Sequence, residues 1–389
     1  MANNTVSIAS KLPKQGTTIF TVMSALAKEQ GAVNLAQGFP DFECPPALVD
    51  LVTGAMKNHH NQYAPMPGVL ALREKIAEKT FGLYSHEYHP DTEITITPGA
   101  TLALWAAITA VVREGDEVIV IEPAYDSYVP AILVNGGRPV FTSMKFPEYR
   151  IDWEEVKKLV TFKTRMIIIN TPHNPTGTVM SSADMEKLQK ITEGTDIIIV
   201  SDEVYEHILF DGREHQSVAR YPKLAARSFI ISSFGKTFHT TGWKIGYCLA
   251  PAPLMAEFRK IYQFMAFSTN TPMQYAIAEF LNNDAAWREV SEFYQQKRNL
   301  FTGLLKSSKF KLYPCCGSYF QLAGYDKISN EKDTEFAIRL TKEHKIASIP
   351  VSVFTSHNED NKVLRFCFAK TEDTLEKAAE ILCSIRGKY

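Results

Sequence analysis

One recurrence constrains the fold of this chain more than any other feature. Short β-branched runs return along it, and helix-like stretches lie between them. The runs are EITIT (Glu93–Thr97), EVIVI (Glu117–Ile121), MIIIN (Met166–Asn170), DIIIVS (Asp196–Ser201), SFIIS (Ser228–Ser232) and GYCLA (Gly246–Ala250). Several are apolar at nearly every position. A strand with one wet face alternates in polarity; a strand covered on both faces does not. The intervening ATLALWAAITAVV and SADMEKLQKIT carry helical patterns. Alternation of this kind predicts an α/β fold, a mostly parallel sheet with helices over it.

The two ends read differently. TTIFTVMSALAKEQG predicts a helix closed by Gly31. Beyond Gln274 helices dominate: one long amphipathic stretch from Asp284 to Ser308, then DTEFAIRLTKEH, a short strand KVLRFCF and a last helix TLEKAAEILCSI. A chain of 389 residues is long for a single core. The division expected is a large domain at 45–280 and a smaller α/β domain at 281–389, with residues 1–44 forming an N-terminal arm and part of the small domain.

On open parallel sheets, ligands bind beyond the carboxyl ends of the strands. Four run ends are distinctive. EITIT leads into Pro98-Gly99-Ala100-Thr101, MIIIN into TPHNPTG, DIIIVS into DEVYE, and SFIIS into SFGK. They offer a helix start, an amide (Asn174), a carboxylate with a tyrosine (Asp202, Tyr205) and a lysine (Lys236). If the strands are neighbours, these groups share one crevice. Each also has an ordinary reading. Gly99-Ala100-Thr101 is by itself a strand-to-helix turn, although its free N–H groups suit an anion. NPTG is by itself a turn. Asp202 can be half of a structural ion pair, and Tyr205 can be core. Lys236 is either a surface lysine with its stem on apolar neighbours or a desolvated amine that titrates low enough to act as nucleophile or proton carrier. A P-loop reading of Gly235-Lys236-Thr237 fails, because Ile230 stands where its first glycine is needed. No dinucleotide-binding glycine motif follows the first run.

A neutral amine, a buried carboxylate and an anion-holding helix start together suit pyridoxal 5'-phosphate. On that reading Lys236 holds the aldehyde end and Asp202 keeps the pyridine nitrogen protonated. Tyr205 and Asn174 bond the phenolic oxygen, while the helix start, Ser233 and Lys244 grip the phosphate.

In order along the chain stand QGFPDF (Gln37–Phe42), NQYAPMPG (Asn61–Gly68), PGAT, NTPHNPTG (Asn170–Gly177), SDEVYEH (Ser201–His207), SSFGKTFHTTGWKIGY (Ser232–Tyr247) and RFCFAK (Arg365–Lys370). With this ordered set the chain resembles the class I aminotransferases of the fold-type I pyridoxal-phosphate enzymes. Among them it is most similar to bacterial methionine aminotransferases and the related kynurenine aminotransferases. The resemblance implies that fold, with a large and a small domain, and it implies roles. Lys236 carries the cofactor, Asp202 pairs with its ring nitrogen, and Asn174 and Tyr205 bond its phenolic oxygen. Gly99, Ala100 and Thr101, with Ser233 and Lys244, hold its phosphate. Tyr125 stacks on its ring. Arg365 takes the substrate α-carboxylate, helped by Asn174 and the Gly38 backbone. Tyr63 reaches into the partner subunit's site, so a homodimer with shared active sites is implied. Many relatives carry arginine where Lys244 stands, and a point charge there replaces a planar fork.

The implied reaction moves the amino group of an apolar or aromatic amino acid (methionine, phenylalanine, tyrosine or kynurenine) to a 2-oxo acid. Phe20, Tyr63, Phe267 and Phe354 are expected near the side-chain pocket, and no arginine suggests itself for a distal carboxylate. β-Elimination from cysteine S-conjugates is the alternative on the same cofactor site. A pyridoxal-phosphate-binding transcription regulator is not expected, because few residues precede the first motif. The formal net charge is -1, with 42 basic and 43 acidic residues, which argues against a nucleic-acid or membrane-surface partner. The first residues lack the apolar stretch of a secretory signal. The six cysteines show no C-x-x-C spacing, no metal is called for, and no apolar run approaches a membrane span. A cytoplasmic enzyme is expected.

Overall fold

The structure is a computed structural model, and it describes residues 8–387; the first seven residues of the expected arm lie outside that range. The strands, in chain order, are β1 (Val33–Asn34), β2 (Ile94–Thr97), β3 (Glu117–Glu122), β4 (Arg138–Ser143), β5 (Thr164–Asn170), β6 (Ile198–Asp202), β7 (Ser228–Ser233), β8 (Gly246–Leu249), β9 (Lys311–Leu312), β10 (Phe320–Gly324), β11 (Ile346–Ala347), β12 (Ile349–Pro350) and β13 (Val363–Cys367). Seven of them form one sheet in the order β2-β8-β7-β6-β5-β3-β4. From β4 to β7 every neighbouring pair is parallel. β8 runs antiparallel to both β2 and β7.

Both faces of this sheet are covered, as the unbroken apolar runs require. Ile119, Ile121, Ile167, Ile169, Ile197 and Ile199 enter the core on one face. Val118, Val120, Met166, Ile168 and Val200 enter the core on the other. Residues of one strand alternate between these two cores, which is the period of a pleated strand. Burying each such side chain is worth about 1.5–3 kcal/mol. The helix Ala100–Val111 is apolar all round because it lies in this interior, between the sheet and the helix Ala252–Met265.

A third core joins the two ends of the chain. Met23 and Ala27 of the helix Ile19–Gln30 pack with Leu35 and Ala36 and with residues from Val290 to Ile385. That helix opens on a Thr18 cap and closes at Gly31 in the left-handed region, φ +59°, as its sequence predicts. Around this core lies a four-stranded sheet, β12-β13-β10-β9, and β1 pairs with β11.

Several details differ from the sequence reading, among them β1 and the four strands β9 to β12, where beyond Gln274 only KVLRFCF is expected as a strand. β4 was not foreseen, because RPVFTS opens on an arginine and a proline and is only partly buried. β8 reads as one more buried strand, yet its direction is reversed. The stretch 284–308 is two helices, Ala285–Arg288 and Val290–Leu304, with a 3-10 turn after them.

Candidate active site

The sheet register brings the expected groups together. Asn170 pairs with Asp202, and Asp202 with Ile231, so the carboxyl ends of β5, β6 and β7 lie side by side. β2 is not their direct neighbour. β8 stands between, and because it runs backwards its first residue, Gly246, pairs with both Ser233 and Thr97. The helix start after β2 therefore closes the same crevice. A cavity of about 340 Å³ opens there. Gly99, Ala100, Thr101, Ser233 and Lys244 line it, as do Asn174, Asp202, Tyr205, Lys236 and Tyr125, and so do Gly38, Phe20 and Arg365.

Asp202 is buried at the end of β6. Its Oδ2 accepts from the Tyr128 hydroxyl at 2.6 Å. Burial pushes its carboxyl up to about 6. Among the described residues no lysine, arginine or histidine pairs with it. Lys236 Nζ donates to the Tyr319 hydroxyl at 2.8 Å and to Gly38 O at 3.3 Å. Burial pulls this amine down to about 8. Lysine and carboxylate thus face one cavity without an ion pair between them.

Arg365 sits mid-strand in β13, across from Leu322 and Ile349. Its side chain is fully buried, at 0 % exposure. Nη1 donates to Asn174 Oδ1 and Nη2 to Ala36 O, both at 2.8 Å. Its buried Nε has no partner. The guanidinium lies 3.9 Å from the Phe320 ring centroid, with the Phe20 ring at 5.2 Å. Burial pulls its pKa down to about 10. No Asp or Glu forms an ion pair with it among the described residues, so a buried cation stands ready for an anion. A continuous chain of hydrogen bonds links it to Asp202. Asn174 N donates to Asn170 Oδ1 at 2.8 Å, and Asn170 Nδ2 donates to Asp202 O at 2.8 Å.

The helix Ala100–Val111 begins at Gly99, φ +79°, and has no side-chain cap. Its first N–H groups and the positive end of its dipole are left for an anion. A Cβ at Gly99 would stand 3.3 Å from Lys244 Nζ, which places the ammonium at the same helix start. At Gly246 a Cβ would come within 2.8 Å of Ala100 N and of Ser232 O. Only glycine lets β8 approach this closely.

These features fit pyridoxal 5'-phosphate. The uncapped helix start with Lys244, Ser233 and Thr101 suits a phosphate. A buried carboxylate lacking a cation suits a protonated ring nitrogen, and a desolvated amine suits an aldehyde.

Tyr63 stands apart from this cavity. It is 82 % exposed, its ring edge-on to Phe267 at 5.5 Å. Phe267 is itself half exposed and lies outside the pocket. Phe354 is buried behind Phe20, ring centroids 5.8 Å apart, and does not line the cavity. Of the four expected aromatics only Phe20 lines the cavity in one chain; Phe39 and Phe320, which sequence reasoning missed, line it as well. Also missed were Tyr128, Asn170 and Tyr319. Asn170 was legible in principle as the last residue of a buried run. The two tyrosines carry no local signal.

Comparison with known proteins places the chain in a family. The family described as aminotransferase class I and II matches residues 30–382. The methionine aminotransferase of Escherichia coli is 49% identical, over 98% of this chain and 99% of its own length. A probable N-succinyldiaminopimelate aminotransferase of Mycobacterium tuberculosis is 37% identical, over 95% of this chain and 96% of its own. The human kynurenine–oxoglutarate transaminase 1 is 33% identical, over 92% and 93% of the two chains. The crystal structure of the Escherichia coli protein YbdL, for which a methionine aminotransferase function is identified, superposes with a TM-score of 0.95, covering 97% of this chain and 100% of that one.

Proposed function

The chain belongs to the class I and II aminotransferases, and from that premise we propose that its donor is an amino acid with an apolar or aromatic side chain, in the range from methionine to phenylalanine, tyrosine and kynurenine. One observation carries the site assignment: Arg365, buried and without an acidic partner, faces the same cavity as Lys236 and Asp202. Phe20, Phe39 and Phe320 line that cavity, and among the described residues Arg365 is the only arginine that does. A guanidinium engaged with the α-carboxylate leaves none of the described cavity residues for a distal one. The relatives reported above are aminotransferases, and elimination from cysteine conjugates is not proposed.

Bound here, pyridoxal 5'-phosphate supplies an electron sink for the pair left at the substrate Cα. The chain's own residues do the rest. Gly99, Ala100 and Thr101 offer backbone N–H groups to the phosphate, with Ser233 and Lys244 beside them. Asp202, oriented by Tyr128, would offer its carboxylate to the ring nitrogen. Asn174 and Tyr205 would bond the phenolic oxygen, and Tyr125 would pack against the ring. Arg365 and Asn174 hold the substrate carboxylate and so fix Cα in front of Lys236. Lys236 Nζ, neutral in part near pH 8, removes the Cα proton. An amino acid and a 2-oxo acid use the site in turn.

Tyr63, Phe264 and Phe267 are exposed, and the Tyr63 and Phe267 rings meet. They support a homodimer in which Tyr63 completes the partner's site. The division proposed is residues 1–44, 45–280 and 281–389; the core that joins Met23–Ala36 to residues from Val290 to Ile385 supports it, while Leu281 and Trp287 pack in a core of the large sheet. No helix among the described residues is long and apolar enough to cross a membrane, and a cytoplasmic enzyme is the reading adopted. The test is a visible spectrum of the purified protein before and after methionine, followed by a scan of donors. Loss of the long-wavelength band on adding methionine is expected; strong preference for aspartate over methionine overturns the substrate reading.

A further inference from the structure

We propose that Tyr319 is the positioning residue of Lys236, aiming the amine's lone pair into the cavity. Tyr319 precedes β10 and is fully buried. Its ring is held edge-on by Tyr205 at 5.1 Å and by Phe320 at 4.9 Å, and Tyr294 lies at 5.6 Å. Its hydroxyl lies 2.8 Å from Lys236 Nζ and 2.6 Å from Gly38 O. Lys236 Nζ is also 3.3 Å from that carbonyl. Amine, phenol and carbonyl thus form a triangle.

Counting protons gives the triangle a direction. A carbonyl oxygen cannot donate, so Tyr319 gives its one proton to Gly38 O. Toward Lys236 it can only accept. A neutral amine has two N–H groups and one lone pair. The two acceptors, Tyr319 Oη and Gly38 O, take the two N–H groups. The lone pair keeps the remaining direction, toward the space that Lys236 shares with Asp202 and Arg365. Without the hydroxyl, only the longer contact to Gly38 O restrains the amine, and it turns freely among its rotamers. The oxygen that holds Lys236 also holds Gly38, so the amine is aligned with the backbone that the substrate meets.

The inference rests on the reading of Lys236 as the amine that takes up the cofactor. Tyr319→Phe keeps the ring and its packing and removes one oxygen. In a first measurement the full-length apoprotein is mixed with pyridoxal 5'-phosphate and the rise of visible absorbance is timed. Uptake is expected to slow about tenfold, with the final spectrum unchanged. In a second, the loaded variant turns over methionine and Cα-deuterated methionine. The expected result is a kcat lower by about tenfold or more, KM within about twofold, and a larger isotope effect. Tyr294→Phe removes another buried hydroxyl of the same aromatic cluster, one bonded to His239 instead, and should leave both measurements at wild-type values. Either measurement at its wild-type value in Tyr319→Phe overturns the proposal. So does an equal loss in Tyr294→Phe, which would make the effect one of packing, or a loss seen mainly in KM. Failure of the underlying reading looks different: Lys236→Ala would then acquire the wild-type spectrum.

Discussion

Tyr128 donates its hydroxyl proton to Asp202 Oδ2 at 2.6 Å, and both groups are buried. The tyrosine opens the helix Tyr128–Val134, and the carboxylate ends β6. The bond lowers the cost of keeping Asp202 ionised in the interior but does not remove it, because burial still holds the carboxyl at about 6 against an ordinary 3.8. A raised carboxyl pKa stabilises the fold below the unfolded value and loses that stabilisation as pH rises through the folded one. Without cofactor, the wild type should therefore lose stability relative to Asp202→Asn between about pH 4 and pH 6, by up to about 3 kcal/mol. Denaturant titrations of the two apoproteins across that range check this; parallel curves refute it. With the cofactor loaded, Asp202→Asn should lose activity by about a hundred- to a thousandfold.

Lys236 gives a kinetic pH dependence of known sign. Its amine titrates near 8 and is a nucleophile only when neutral. Uptake of pyridoxal 5'-phosphate by the apoprotein should rise about tenfold per pH unit below 8 and level off above it. Stopped-flow absorbance reads this directly. Lys236→Ala should show neither the long-wavelength band nor turnover, and normal transamination by that variant would refute the assignment.

Arg365→Lys should raise KM for methionine by about a hundredfold while the spectrum of the bound cofactor stays as in the wild type. A lysine keeps the charge and loses the fork that takes a carboxylate at two points, and each charge-assisted hydrogen bond is worth about 1.5–3 kcal/mol. Steady-state kinetics with the visible spectrum as control separates substrate binding from cofactor binding. An unchanged KM would remove Arg365 from the substrate site.

Gly246→Ala tests the cofactor cradle. The added Cβ would lie 2.8 Å from Ala100 N and from Ser232 O and 2.9 Å from the Gly99 carbonyl carbon, all backbone atoms. Overpacking of that kind costs about 1–3 kcal/mol. The variant should melt earlier and bind pyridoxal 5'-phosphate about tenfold or more weakly. Once saturated with cofactor, it should turn over close to the wild-type rate. Equilibrium dialysis and a thermal scan decide it.

Much of the site was legible in the sequence because of how an open sheet binds ligands. Each buried run announces a strand, and where the strands run parallel the residues just past them are delivered to the ligand side. Asp202, Asn174 and Lys236 were found in that way. Tyr128 and Tyr319 were not, because an aromatic residue in an apolar setting reads as core, and these two are core residues whose hydroxyls reach Asp202 and Lys236. Tyr319 meets Lys236 across 83 residues of sequence, and no local pattern spans that distance. Arg365 was conspicuous as a charge inside a strand, but its lack of an acidic partner is a fact of three dimensions. β8 looks like any other buried strand, since side-chain burial carries no record of strand direction.

That reversal of β8 has a consequence for how the protein tolerates change in length. β7 leaves the sheet at Ser233 and β8 re-enters it at Gly246, and those two residues are paired neighbours. Lys236 and Lys244 both ride on the closed loop between these two anchored feet. An insertion between Lys236 and Lys244 would change the spacing of the two amines, which the paired feet otherwise hold fixed. In the crossover from β6 to β7 the turn at Gly212 is exposed, with open space around it, and can absorb added residues on the outside of the molecule. Loop-length variants should be tolerated in the second segment and ruinous in the first.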